Sequence, residues 1–184
     1  VSGNGFDGIV LEGTGVSGNI VAGNYIGVDA TGTLALGGNH FGVLVKAGAH
    51  GNRIGTNGDG LGDADERNII SGNQWDGVFI GDAGTDANRV AGNYIGVDVT
   101  GENALGNNFG VRIDNGAQSN LIGTDTDGVA DLAERNVISG NRDDGVLIIA
   151  NGTSNNKVSG NLIGLDVTGQ SAIGNGSNGV SISD

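Results

Sequence analysis

The sequence predicts an all-β fold, a parallel β-solenoid of about five coils with three short strands per coil. Two observations carry this, and a third narrows it. First, the chain repeats itself: "GNYIGVD" at Gly23 returns at Gly92 and, as "GNLIGLD", at Gly160, and self-similarity at a fixed period is the mark of a stacked repeat architecture. Second, inside that period the segment Gly-[Val/Ile]-x-[Ile/Leu/Val] begins at Gly8, Gly42, Gly77, Gly110, Gly145 and Gly179, giving spacings of 34, 35, 33, 35 and 34 residues. Third, 39 of 184 residues are Gly and none is Pro, Cys or Met. The glycines do not fall on every third residue, which excludes a collagen helix. Recurrent short apolar alternation excludes a disordered chain.

Each half-period holds three strand candidates, too short and too rich in Gly for helices. In one, these are "GVFI" (Gly77–Ile80), "NRVAG" (Asn88–Gly92) and "NYIGVD" (Asn93–Asp98). Side chains alternate across a strand, so one apolar set points inward in each. The first strands then stack Val43/Val45, Val78/Ile80, Val111/Ile113 and Val146/Ile148. The second strands stack Val21, Ile54, Val90, Ile122 and Val158, and the third Ile26, Ile70, Ile95, Ile138 and Ile163. Two Asn columns open strands: Asn19, Asn52, Asn88, Asn120 and Asn156 before the second, and Asn24, Asn68, Asn93, Asn136 and Asn161 before the third. Asn tolerates left-handed backbone at corners, and stacked amides can bond along the stack.

The formal charge of −13 argues against nucleic-acid partners and anionic membrane surfaces, and permits cations. No apolar run is long enough to span a bilayer, so no membrane insertion is expected. The sequence starts and stops in mid-repeat. The expectation is therefore one β-helix domain over 1–184, a piece of a longer array, contacting adjacent coils or modules or stacking end to end with copies of itself.

The repeated phrases "NVISGN", "GNYIG.D.TG..ALGN" and "DGV.I" resemble right-handed parallel β-helix repeat proteins of the pectate-lyase-like superfamily, and more closely the Gly/Asn-rich arrays of large bacterial secreted and surface proteins. The resemblance covers the whole chain. It implies a right-handed helix and a secreted or cell-surface location. It says little about activity, because that superfamily contains lyases, hydrolases, epimerases and inert scaffolds.

A minimal coil needs about 20–25 residues, so coils of about 34 residues each carry an insertion, and two kinds alternate. One follows the third strand: Ala30–Phe41, Val99–Phe109 and Val167–Asn178. Asp29, Asp98 and Asp166 precede it, each two residues before a Thr, and read as turn caps. The other lies between the second and third strands, in "GTNGDGLGDADERN" (Gly55–Asn68) and "GTDTDGVADLAERN" (Gly123–Asn136), with four acidic residues in each.

Set against a calcium loop with ligands at positions 1, 3, 5, 7, 9 and 12 and Gly at 6, Gly60 and Gly128 take position 6. Asn57, Asp59, Leu61 (by carbonyl), Asp63 and Glu66 then fall at 3, 5, 7, 9 and 12. Asp125, Asp127, Val129 (by carbonyl), Asp131 and Glu134 do so in the second copy. Ca2+ takes six to eight hard oxygens, and without an ion the clustered carboxylates repel one another. Two sites are expected. Position 1 departs from the pattern, being Gly55 or Gly123. Arg67 and Arg135 follow the Glu in each copy and are expected to brace the loops.

Phe6, Phe41, Trp75 and Phe109 fall just before successive first strands. They predict an aromatic column that caps the core or offers a strip for a polysaccharide. Catalysis of the lyase or epimerase kind would have to use Lys46, Arg112 and Asp114 on the outer face of the first strand, but Glu12 lies in register with Lys46 and an ion pair accounts for it more simply. His40 and His50 read as surface residues. The reading is a calcium-stabilised structural rod, not an enzyme, with a carbohydrate-binding module or a polysaccharide lyase as the alternative.

Overall fold

The computed structural model describes all residues, Val1–Asp184. It contains sixteen strands, numbered in chain order, and no helix. Each coil contributes one strand to each of three sheets, and every strand pairs in parallel with its counterpart one coil on. The first sheet has six strands: β1 (Ile9–Glu12), β4 (Val43–Lys46), β7 (Val78–Gly81), β10 (Val111–Asp114), β13 (Val146–Ile148) and β16 (Val180–Ile182). The second holds β2 (Ile20–Val21), β5 (Arg53–Gly55), β8 (Arg89–Ala91), β11 (Leu121–Gly123) and β14 (Lys157–Ser159). The third holds β3 (Tyr25–Ile26), β6 (Ile69–Ile70), β9 (Tyr94–Ile95), β12 (Val137–Ile138) and β15 (Leu162–Ile163). With strands about 4.8 Å apart, five coils make a rod about 25 Å long.

The expected columns are the observed register. Val43 pairs with Val78, Val78 with Val111, and Val111 with Val146. The Ile54–Val90–Ile122 and Ile70–Ile95–Ile138 stacks hold in the other sheets. These side chains form one continuous core cluster of 18 buried residues.

Three asparagine ladders, not two, run beside the core. In each, Oδ1 of one Asn accepts from the backbone N–H and from Nδ2 of the Asn one coil earlier. Asn68, for example, donates both to Asn93 Oδ1, at 3.3 and 2.9 Å. The third ladder, Asn4–Asn39–Asn73–Asn107–Asn141–Asn175, closes the corner before the first sheet with amide bonds of 2.8–3.1 Å.

The insertions after the third strand fold back as small hairpins, bridged at Val28–Ala35, Val97–Ala104 and Leu165–Ala172. They stack on one another across the intervening coil, Val99 N–H bonding Gly32 O and Val167 N–H bonding Gly101 O, each at 3.0 Å. Beneath them lies a second small cluster of Val28, Ile69, Tyr94, Val97 and Val137 on the outer face of the third sheet. The Asp caps form as expected. Asp98 Oδ1 accepts from the Thr100 hydroxyl at 2.6 Å and from the N–H groups of Thr100, Glu102 and Asn103 at 3.1–3.3 Å.

Candidate functional site

The two acidic loops leave the ends of β5 and β11 by the same route. Gly55 and Gly123 have φ of +101° and +106°, and a side chain on either would collide with the next coil's carbonyl, Ala91 O or Ser159 O. The fold therefore requires Gly at position 1, which is why the usual carboxylate is missing there. After it each loop winds through successive Asx turns. Asn57 Oδ1 accepts from Asp59 N–H and Asp59 Oδ1 from Leu61 N–H, at 3.2 and 2.8 Å. Asp125 Oδ1 accepts from Asp127 N–H and Asp127 Oδ1 from Val129 N–H, at 3.1 and 2.7 Å. The side chains of Leu61 and Val129 point to solvent, as a carbonyl-only role requires.

The loops differ in which oxygens remain free. In the first, every carboxylate oxygen of the three predicted acidic ligands is engaged. Besides the Asx bonds, Asp59 Oδ2 takes the Asn57 amide, Asp63 takes the Thr56 hydroxyl and Gly60 N–H, and Glu66 takes Asn57 N–H and the guanidinium of Arg53. In the second loop the carboxylates of Asp125, Asp131 and Glu134 converge, their ligand oxygens within 4.8 Å of one another. Asp127 stays outside that group. Asp131 has one oxygen held by the Thr124 hydroxyl at 2.8 Å, and its second oxygen accepts no hydrogen bond.

The arginines that brace these loops are Arg53 and Arg89, not the expected Arg67 and Arg135. Arg53 and Arg89 sit directly opposite each other on β5 and β8, a like-charge pairing that is unfavourable unless each is neutralised. Arg53 pairs with Glu66 at 3.0 Å. Arg89 pairs with Glu134, which is 1% exposed, and with Asp125 at 3.3 Å. The Glu134 carboxylate reaches across to the first loop, where a side chain at Gly58 would collide with it. One arginine thus fastens the second loop against the first. Arg67 instead lies 4.2 Å over the Tyr94 ring and donates Nε to Gly92 O at 3.1 Å.

The donor set of the second loop fits a hard divalent ion. It offers oxygen only, and three carboxylates against the Arg89 guanidinium and the Lys157 ammonium, which donates to Asp125 O at 3.1 Å, leave net negative charge for a cation to balance. The first loop is poorer, with an amide at Asn57 where the second has Asp125, and with its carboxylate oxygens already satisfied.

The other sequence candidates are dispersed. Phe6 packs edge-on against His40 at 5.8 Å, His40 stacks on Trp75 at 4.3 Å, and Phe41 touches Trp75 and Phe79 at 5.1 and 5.2 Å. His40 is thus part of the aromatic column. Phe109 stands apart, beside Arg112 at 5.8 Å. Lys46 pairs with Glu12 at 3.5 Å, and Arg112 pairs with Asp76 at 3.3 Å and Asp114 at 3.8 Å. The two cations lie on β4 and β10 with β7 between them, and no nucleophile or base pair joins them. Comparison with protein-family models, with curated proteins and with solved structures returned no match.

Proposed function

We propose that the chain is a structural module, a stiff β-solenoid rod stabilised by Ca2+ in the Gly123–Asn136 loop, serving as a spacer, an adhesin stalk or a self-assembling element of a secreted or cell-surface protein. The observation that carries the reading is the convergence of Asp125, Asp131 and Glu134 on one point beside a single arginine. Uncompensated, those charges repel and loosen the loop; an ion of charge +2 reverses the sign of that interaction. The sequence spacing implies two equal sites, but the hydrogen bonding within the loops favours the second. A loop lacking its position-1 carboxylate belongs at the weak end of calcium affinities, about 10⁻⁴–10⁻³ M, a range matched to extracellular calcium. This supports placing the module outside the cell. The reading assigns no catalytic role, since Lys46 is held by Glu12 and Arg112 by Asp76 and Asp114.

Melting curves in calcium and in chelator test it. Millimolar calcium is expected to raise the midpoint by about 3–6 °C in the wild type, by nothing in Asp131→Asn, and by nearly the full amount in Asp63→Asn. Magnesium is expected to replace it poorly. Identical melting in calcium and chelator would remove the calcium part of the proposal.

A further inference from the structure

The outer face of the third sheet carries the column Tyr25, Ile69, Tyr94, Val137, Leu162. Its two rings pack on glycines of the insertions that follow them: a Cβ at Gly32 would stand 3.1 Å from the Tyr25 ring, and one at Gly101 3.0 Å from the Tyr94 ring. Arg67 completes the first repeat by lying over Tyr94. Arg135 holds the equivalent position one long repeat later, but the residue corresponding to Tyr94 there is Leu162. The packing against the matching glycine is slack, a Cβ at Gly169 standing 3.6 Å from Leu162 Cδ2. The missing ring leaves a cavity of about 240 Å³. Its floor is Tyr94, Val137 and Leu162, its walls are Leu132 and Val167, and both Arg67 and Arg135 reach into its lining.

Two cations border this hollow and no carboxylate does. Lys46, Arg53, Arg89 and Arg112 are in ion pairs with carboxylates, whereas Arg67, Arg135, Arg142 and Lys157 are in none, and of these four only Arg67 and Arg135 line the hollow. In a protein of charge −13, two arginines without an acidic partner line one apolar hollow. We infer that this hollow binds a small organic anion, a carboxylate carried on one flat or short aliphatic apolar group. The forked donors of Arg135, with Arg67 beside them, suit a carboxylate. The apolar body would displace water from Leu132, Val137 and Leu162 and lie against Tyr94. The volume is below that of pockets for drug-sized ligands, so the occupant is about one ring in size. An inorganic anion would leave the floor wet, and a neutral hydrocarbon would leave Arg135 without a partner.

Benzoate followed by amide chemical shifts tests this on the intact chain, with benzamide and inorganic phosphate as controls. Benzoate is expected to give saturable shifts at Leu132, Arg135, Leu162 and Val167 with a dissociation constant of about 1 mM. Arg135→Gln, at an exposed position, is expected to weaken it about tenfold. Leu162→Tyr restores the ring of the earlier repeats; it should fill the cavity, keep or raise the melting point, and abolish binding. Absence of saturable shifts in the wild type overturns the inference. So does equal binding of benzamide or phosphate, or binding that survives in a folded Leu162→Tyr protein.

Discussion

Asp76 and Asp98 are both nearly sealed from water, at 1% and 4% exposure, yet hold their protons in opposite ways. Burial pushes Asp76 up to about 6, and the Arg112 guanidinium and the Phe109 backbone N–H offset only part of this, with Asp114 adding to the rise. Its Oδ2 lies 3.3 Å from Arg112 Nε without an aligned hydrogen bond. Burial acts to raise Asp98 too, but bonds from the Thr100 hydroxyl, the Asn103 amide and two backbone N–H groups outweigh it and leave it lowered. Asp29, on the surface, is lowered to about 2, chiefly by the Thr31 hydroxyl.

The consequences have opposite sign. Asp98 and Asp29 stabilise the fold above their unfolded pKa, and that stability is lost as pH falls through their lowered folded values. Asp76 binds its proton more tightly when folded, so its contribution favours the fold at low pH and is lost as pH rises from about 3.8 to about 6. Asp76→Asn removes this one term. Denaturation of both proteins at pH 4 and pH 7 is expected to show the variant gaining about 2–3 kcal/mol on the wild type across that interval. Parallel pH curves would contradict the assignment.

At the scale of the element, the asparagine ladder sets the coil spacing. Asn93 is fully buried, accepts two bonds from Asn68, and donates Nδ2 to Ile54 O, Ala91 O and Asn136 Oδ1 at 2.9–3.1 Å. Asn93→Ala strands those groups where water cannot reach, and is expected to cost about 3–5 kcal/mol. Asn19, exposed at the end of its ladder, is expected to cost less than about 1 kcal/mol on the same change, because water replaces what is lost. Urea unfolding of the two variants checks the contrast; equal costs would mean the ladder does not hold the coils.

The inward columns and two of the ladders were legible because apolar residues and Asn keep constant offsets from the repeated Gly-Val unit. The third ladder has the same regular spacing, but its alternate members, such as Asn39 and Asn107, sit inside stretches that read as insertions. The bracing arginines were not legible at all. Arg89 is 45 residues from Glu134, and only stacking brings them together, whereas the arginine adjacent in sequence, Arg135, lines the hollow with Leu132 and Leu162. The carboxylate pattern of the two loops reads as equivalent; the Thr, Gly and Arg hydrogen bonds that separate them depend on geometry, and spacing does not carry it.

Over the whole molecule, the two kinds of insertion alternate, and each touches the next of its own kind across the intervening coil. Hairpins stack on hairpins, as Val99 on Gly32 and Val167 on Gly101, and acidic loop on acidic loop, through Arg89 and Glu134. The physical repeat is therefore the pair of coils, and the second acidic loop reaches back over the coil before it to touch the first. A chain of charge −13 that concentrates carboxylates in that stack gains from any cation that enters it, and the geometry favours one place. Calorimetric titration with calcium tests this most directly. The account predicts one site per chain, with a dissociation constant of about 0.1–1 mM, lost in Glu134→Gln and retained in Glu66→Gln. Absence of heat in the wild type, or a site that persists without the Glu134 carboxylate, would contradict it.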